Sequence, residues 1–368
     1  MALMRKETTR KIMTYLLTPL SWIYGGVTSL RNWMFDRGIL PQEEFDVPVV
    51  SVGNITVGGT GKTPHVEYIL SMLAMDYKIA VLSRGYKRKT KGFILANSHS
   101  TPESIGDEPL QIYRNHGLNV KVAVCESRRR GIKELLRQFP DLQLIVLDDA
   151  FQHRYVKPKV SILLTDHSHP FYEDKLLPLG RLRESPLQVG RADMVIITKC
   201  PEELTPLDYR LLSKDIDLVA FQKLFFSRYS YGHLTPVFPD DDPYNVSLGA
   251  LTERDGALLV SGIANPRSFV RHFKQYPMRV KVAHFDDHHN FSREDIQLLK
   301  DKFKTLSGER KIIVTTEKDA VRLMYNPYFP PDLKKLTYYL PISVDMEPGI
   351  EGDDFITELR KAIDANEI

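Results

Sequence analysis

Val47-Pro-Val-Val-Ser-Val-Gly-Asn-Ile-Thr-Val-Gly-Gly-Thr-Gly-Lys62-Thr63 is the stretch that decides how this chain is read. A run of β-branched residues leads into a glycine-rich loop ending in Gly61-Lys62-Thr63. A loop of this kind points its backbone N–H groups at an anion. Its Lys reaches the terminal phosphates of a nucleoside triphosphate, and the hydroxyl that follows binds Mg²⁺. The expected nucleotide contacts are Thr56, Val57, Gly58, Gly59, Thr60, Gly61, Lys62 and Thr63. The strict pattern asks for Gly where Thr56 stands, but Gly58 and Gly59 still supply a permissive backbone. Pro64 suits the first turn of a helix. Val66, Ile69, Leu70, Leu73 and Ala74 then fall on one helical face. Strand, loop and helix are the context the motif requires. An ordinary Gly-rich turn would not need Lys-Thr in this register.

A length of 368 residues suggests two domains, and 42% apolar residues suffice for their cores. Fifty basic and 47 acidic residues leave a net charge of +3. That balance makes no global case for nucleic acid, so anion binding has to be local. Cys125 and Cys200 are too few for a disulfide framework and lack metal-ligand spacing, which points to a reducing cytosol.

The N-terminus combines Arg5, Lys6, Arg10 and Lys11 with a long apolar stretch. Met13, Leu16, Leu17, Leu20, Tyr24, Val27, Leu30 and Met34 recur at helical spacing, and both tryptophans, Trp22 and Trp33, lie here. Pro19, Gly25 and Gly26 make a poor transmembrane span. A basic, aromatic-rich helix lying in the membrane interface fits better. The competing readings are a signal peptide, disfavoured by the nucleotide loop that follows, and a helix packed on its own domain.

From residue 47 to about 222, strand patterns at 47–55, 78–83, 119–124, 142–148, 160–165, 194–198 and 217–221 alternate with helical ones. The alternation predicts a doubly wound, mostly parallel α/β sheet of the P-loop NTPase kind. Residues 223–250, rich in Pro and Asp, read as a linker with a short β hairpin. A second α/β pattern follows, with strands near 257–262, 279–284, 311–315 and 336–344 and helices near 266–275, 292–304 and 353–364. The expected organisation is an interfacial helix at 1–40, a P-loop domain at 41–222, a linker at 223–250 and a smaller α/β domain at 251–368.

Leu142 to Asp149 is an apolar strand ending in Asp148-Asp149, the expected companion of a phosphate loop. One carboxylate holds Mg²⁺ or its water and the other organises the site. Gln152, His153 and Arg154 add polar groups at the same rim. Gly106-Asp107-Glu108-Pro109 places two carboxylates in a loop that could supply a general base. A helix N-cap with an acidic first turn is an equally good reading of it. Arg84 and Tyr86, after the second strand, and Arg128-Arg129-Arg130 could bind a phosphate or anionic lipid. Phe285-Asp286-Asp287-His288-His289 sets histidine beside carboxylates and suits a catalytic helper better than structural zinc. Thr315 to Asp319 ends another strand and could face the same cleft.

Taken together, Gly53 to Pro64, Ser83 to Tyr86, Gly106 to Pro109, Asp148 to Arg154, Gly262-Ile263-Ala264-Asn265-Pro266, Asp287-His288 and Thr316 to Ala320 resemble the tetraacyldisaccharide 4'-kinase family of Gram-negative lipid A biosynthesis. Order and spacing agree over essentially the whole chain, and Thr56 is itself typical of that family. The resemblance implies a peripheral enzyme on the cytoplasmic side of the inner membrane. That enzyme moves the ATP γ-phosphate onto the 4'-hydroxyl of a tetraacylated glucosamine disaccharide 1-phosphate, giving lipid IVA. It implies ATP and Mg²⁺ as cofactors, with Thr63, Asp148 and Asp149 in the metal shell and Lys62 on the transferring group. It also implies Asp107 as acceptor of the hydroxyl proton, with His288 paired to it across the two domains. Arg84, Tyr86, Glu108, Gln152, His153 and Arg154 are possible substrate-side residues. Two rivals share the nucleotide loop: a kinase or ligase acting on a soluble metabolite, and a membrane-associated nucleotide switch.

Overall fold

The computed structural model describes residues 2–241, 243–349 and 352–365, with side chains from Thr14 onward. The side chains of Arg5, Lys6, Arg10, Lys11 and Met13, and residue Asp242, therefore lie outside the described set. Two compact units emerge. The first takes the residues up to Arg84, Leu118–Tyr229 and the residues from Val344 onward; the second takes Gly85–Gly117 and Ser230–Ser343.

The first unit is built on β1 (Val49–Gly53), β2 (Ile79–Ser83), β3 (Val120–Val124), β4 (Leu144–Asp148), β5 (Val160–Asp166), β6 (Met194–Thr198) and β7 (Lys223–Tyr231). They lie in the order β7-β6-β5-β1-β4-β2-β3, with the strand Ile342–Glu347 beyond β7. The β1–β4, β1–β5, β2–β3, β2–β4, β5–β6 and β6–β7 pairs are all parallel. Every residue of β1, β2, β4 and β6 is buried. That is why these strands read as continuous Val/Ile/Leu runs rather than as an alternation. The chain runs from β1 outward to β2 on one side and from β4 across to β5 on the other. The order reverses at β1 and β4, where doubly wound sheets bind ligands at the carboxyl ends of strands.

Helix α1 (Ala2–Asp36) runs through Pro19 and docks its small and polar side on this unit. Ser21, Gly25, Asn32 and Phe35 are buried. The Ser21 hydroxyl donates to the Leu176 carbonyl at 2.9 Å, Tyr24 to the Arg183 carbonyl at 2.9 Å, and the Asn32 amide to Glu184 Oε2 at 2.8 Å. Leu16, Leu20, Trp22, Ile23, Val27, Leu30 and Trp33 face outward. The amphipathic pattern is thus inverted relative to an ordinary packed helix. No helix among the described residues is long and apolar enough to cross a membrane. Helix α2 (Lys62–Leu73) follows the glycine loop and buries Val66, Ile69, Leu70 and Leu73, the face expected from the sequence.

In the second unit β8 (Gly256–Ser261), β9 (Arg279–His284), β10 (Lys311–Thr316) and β11 (Thr337–Leu340) form a parallel sheet ordered β9-β8-β10-β11. Residues 235 and 236 add an antiparallel edge against Tyr338 and Tyr339. Helices α3 (Asp107–His116) and α4 (Glu317–Met324) both belong here.

The linear division at 41–222 and 251–368 differs from these units in two segments. Gly85–Gly117 leaves β2 and joins the second unit, and the helix Phe355–Asp364 returns to the first, where Phe355 packs edge-on against Phe225 with ring centroids 5.2 Å apart. The strand expected at 217–221 is a turn. The preceding helix stops at Ile216, Asp217 takes a left-handed conformation at φ 52°, and the strand begins at Lys223. The expected linker accordingly holds β7. Its remainder is anchored, because Val237 and Phe238 enter one core of the second unit and Leu248 the other.

Candidate functional site

The phosphate loop leaves β1 at the sheet's reversal point. Gly61 sits at φ 90°, and a Cβ there would come within 2.2 Å of the Tyr229 hydroxyl, so only glycine fits. Asn54 is fully buried and donates to Thr60 Oγ1 at 2.7 Å. Thr56 is buried, and its backbone forms an antiparallel bridge with Leu182. Lys62 lies 3.6 Å from Asp149 Oδ1.

Asp148 ends β4 and accepts from the Ser83 hydroxyl at 3.0 Å. Asp149, at φ 48°, turns its carboxylate toward Lys62 and toward Arg183 Nη1 at 3.2 Å. Burial pushes the Asp149 carboxyl up, but the charges of Lys62, Arg183 and Arg128 outweigh it and hold the group below the usual carboxylate range. It is ionised at neutral pH. Arg128 is buried and donates to the Cys125 and Asp148 carbonyls, at 2.9 and 3.1 Å. Its role is to brace β4. Carboxylate and hydroxyl oxygens at Thr63, Asp148 and Asp149 are a donor set suited to a hard divalent cation.

The rim residues separate into distinct roles. Gln152 donates to the Asn54 carbonyl at 2.7 Å and accepts from Arg183 at 3.3 Å, tying the β4 rim to the loop. Burial, with help from Arg128 and Arg84, pushes the His153 imidazole down to about 4, so it is neutral at pH 7. Arg84 is exposed at the end of β2. Arg154 is buried and pairs with Asp36 at 2.6 Å and the Asn32 carbonyl at 3.0 Å. Its guanidinium holds α1 in place.

In the second unit Gly106, at φ 94°, is the N-cap of α3 and sets Asp107 and Glu108 in the first turn. Asp107 Oδ2 accepts from Arg322 Nε at 2.9 Å and Nη2 at 2.5 Å, and lies 3.5 Å from His288 Nδ1. His288 needs no movement of another domain to reach Asp107, because Gly85–Gly117 places both residues in one unit. The loop that carries His288 holds it at φ 59°. Its Nε2 lies 2.9 Å from Lys318 Nζ and 3.6 Å from Glu108 Oε1, and Tyr86 packs edge-on against its ring at 5.2 Å. Burial pushes the Asp107 carboxyl up, but the hydrogen bonds and charges of His288 and Arg322 outweigh it and hold the group below its ordinary value.

This pair is supported by Arg322, which carries no motif of its own in the sequence, and by Asp319. Arg322 Nη1 donates to Asp319 Oδ1 at 3.0 Å. Asp319 Oδ2 accepts from the Gly262 N–H at 2.8 Å and the Thr316 hydroxyl at 2.7 Å. The Gly262 carbonyl accepts the His288 N–H at 3.2 Å. One buried carboxylate thus orients both the arginine on Asp107 and the loop bearing His288. The Thr315–Asp319 strand end and the i, i+3 spacing of Asp319 and Arg322 were the available signal. His289 differs from its neighbour: it stacks on Phe285 at 4.8 Å and binds Asp295 at 2.8 Å. Asp107, Glu108 and His288 lie close enough to hold a cation, but Arg322 and Lys318 already neutralise those carboxylates.

A parallel sheet with a Lys-bearing glycine loop at its reversal point, paired strand-end carboxylates and a separate Asp–His pair defines a phosphate-loop phosphotransferase. The comparisons narrow that class. The family profile of tetraacyldisaccharide-1-P 4'-kinase matches residues 13–363, and the chain belongs to that family. The tetraacyldisaccharide 4'-kinase of Bacteroides thetaiotaomicron is 49% identical over 337 residues, covering 90% of this chain and 88% of that one. That of Parabacteroides distasonis is 48% identical over 333 residues, covering 89% of each. The crystal structure of LpxK from Aquifex aeolicus in complex with ATP superposes with a TM-score of 0.71 at 28% identity, over 95% of this chain and 98% of that one.

Proposed function

We propose that this chain transfers the γ-phosphoryl group of ATP to the 4'-hydroxyl of tetraacyldisaccharide 1-phosphate, giving lipid IVA. The observation that carries the proposal is Lys62 beside Asp149 at the reversal point of a parallel sheet, in a chain of this kinase family. ATP as donor is supported by the ATP complex of the Aquifex aeolicus relative.

Backbone N–H groups from Gly58 to Thr63 cradle the phosphates, and Lys62 neutralises charge on the transferring group. Thr63, Asp148 and Asp149 would hold Mg²⁺, which supplies charge neutralisation on the β- and γ-oxygens when bound. Arg183 and Lys62 keep Asp149 ionised for that task.

Asp107 takes the proton of the acceptor hydroxyl. Both Arg322 bonds and the approach of His288 fall on Oδ2, which leaves Oδ1 to receive it. His288 is paired with Asp107, its Nδ1 3.5 Å from Oδ2. Arg322 offers a donor at 3.1 Å from Nδ1, and Lys318 one at 2.9 Å from Nε2. Catalysis is otherwise positioning and charge neutralisation. Arg84, Tyr86, Glu108, Gln152 and His153 contribute to the acceptor side.

The outward apolar face of α1, with Trp22 and Trp33, suits the cytoplasmic interface of the inner membrane, where the lipid acceptor resides. The deciding experiment is incubation with ATP, Mg²⁺ and the purified disaccharide lipid, read by mass spectrometry. A mass gain of one phosphate on the lipid, dependent on ATP, is the expected result. Hydrolysis of ATP with unmodified lipid would reject it.

A further inference from the structure

Behind the phosphate loop, three consecutive carbonyls are each taken by a side chain of the first unit. Lys199, just after β6, donates to the Gly59 carbonyl and is itself held by Asp166 at 2.6 Å. Thr198 Oγ1 donates to the Thr60 carbonyl at 2.9 Å. His65, on α2, places Nδ1 2.7 Å from the Gly61 carbonyl and Nε2 2.8 Å from the Ser227 hydroxyl.

The chemistry of these contacts fixes their direction. A carbonyl can only accept, so His65 Nδ1 carries the proton and Nε2 accepts from Ser227. Ser227 is fully buried on β7, and its own carbonyl is tied to the Cys200 N–H at 2.9 Å.

A peptide plane carries its C=O and its N–H on opposite edges. Holding the carbonyls of Thr60 and Gly61 toward the sheet therefore aims the N–H groups of Gly61 and Lys62 the other way. Gly58 and Gly59 open onto free space at their Cβ positions, so no side-chain packing fixes that part of the loop. Unheld, such a loop would have to be ordered by its ligand, at a cost in affinity.

We infer that Lys199, Thr198 and His65 are positioning residues for the phosphoryl transfer, holding the phosphate loop in its anion-binding conformation by its carbonyls. This rests on reading residues 56–63 as a phosphate loop. None of the three touches the phosphates; they act through the backbone, so their loss weakens nucleotide binding and leaves acceptor binding alone.

The test uses the full chain with steady-state kinetics in both substrates. His65→Ala and Lys199→Met are each expected to raise the KM for ATP by about tenfold or more, with the acceptor KM within about twofold of the parent. His65→Asn, whose amide N–H can replace Nδ1–H, and Lys199→Arg, which keeps a cationic donor, should recover most of the loss. A purely packing role would not follow that donor chemistry. Lys62→Ala runs beside them as a control. If it abolishes transfer while His65→Ala and Lys199→Met keep the parental ATP KM, the carbonyl-holding role is overturned. A rise in ATP KM that the Asn and Arg variants fail to reverse overturns it as well. Normal turnover in Lys62→Ala removes the phosphate-loop reading itself. Should His65→Ala not fold, the Lys199 pair decides, since that side chain is partly exposed.

Discussion

Arg322 places two donors on one oxygen of Asp107, Nε at 2.9 Å and Nη2 at 2.5 Å. A proposed general base is thereby kept ionised by a guanidinium 215 residues away in sequence. The consequence is a pH profile. Asp107 works only as the carboxylate, so kcat/KM is lost as pH falls through its folded pKa. That pKa lies below the ordinary carboxylate value despite burial, because His288 and Arg322 outweigh it. The acidic limb of the parent should therefore lie below the usual carboxylate range.

Arg322→Met removes the two donors and the charge but leaves the burial. The Asp107 pKa then rises, by about 1 to 3 units, and the acidic limb moves to higher pH by the same amount. Profiles of kcat/KM against pH for both proteins check this. An unmoved limb would separate Asp107 from the pH dependence.

Asp107→Asn should lower kcat far more than it changes ATP affinity, because a base on the acceptor hydroxyl acts in the chemical step. His288→Ala should do the same to a smaller degree. The two side chains already lie 3.5 Å apart. If they act as a unit, the double variant is little worse than Asp107→Asn alone. Fully additive losses would argue for separate roles, and intact turnover with weakened ATP binding in Asp107→Asn would move that residue away from the base.

Lys62→Ala should reduce phosphoryl transfer by on the order of 10³-fold, the cost of removing one charge stabiliser from a phosphoryl transition state. The fold should survive, because Lys62 sits at the first position of α2 with its ammonium toward Asp149. Single-turnover rates and circular dichroism check both halves. Near-parental turnover would remove Lys62 from the chemistry.

The first unit was largely legible because each of its central strands is a short apolar run ending in the residues that matter: Gly53 before the loop, Ser83 before Arg84, Asp148 before Asp149. What escaped was non-local. Nothing near Asp107 announces Arg322, since that pairing depends on Gly85–Gly117 belonging to the second unit. The strand expected at 217–221 fell a few residues early because Leu218 and Val219 look β-like, while the register is set by Gln222, whose amide donates to the Val189 and Ala192 carbonyls at 2.8 and 2.6 Å. Arg154 looked like a rim residue by its place after Asp148-Asp149, yet its partners are Asn32 and Asp36. Asn54 and His65 carry no sequence signal of their own; only the packed loop shows that they grip it.

The inverted helix α1 gives the last prediction. Its inner side carries Ser21, Gly25 and Asn32, and its outer side Leu16, Trp22, Val27, Leu30 and Trp33. A Cβ at Gly25 would come within 2.7 Å of Leu176, so the helix lies tight against the first unit. Burying the outer residues would be favourable by about 25 cal/mol per Å², and in a protein acting on a lipid the natural place is the acyl boundary of the membrane. Changes on the two sides should therefore separate. Trp22→Glu with Leu30→Glu should leave the melting temperature unchanged, reduce binding to anionic phospholipid vesicles and raise the acceptor KM with the ATP KM unaltered. Asn32→Leu should lower the melting temperature, because Glu184 Oε2 loses a donor at 2.8 Å in a buried site, at a cost of about 1 to 3 kcal/mol. Vesicle co-sedimentation and two-substrate kinetics on these variants check the division. If the Glu double variant binds vesicles and lipid as the parent does, the outer face is not the membrane contact.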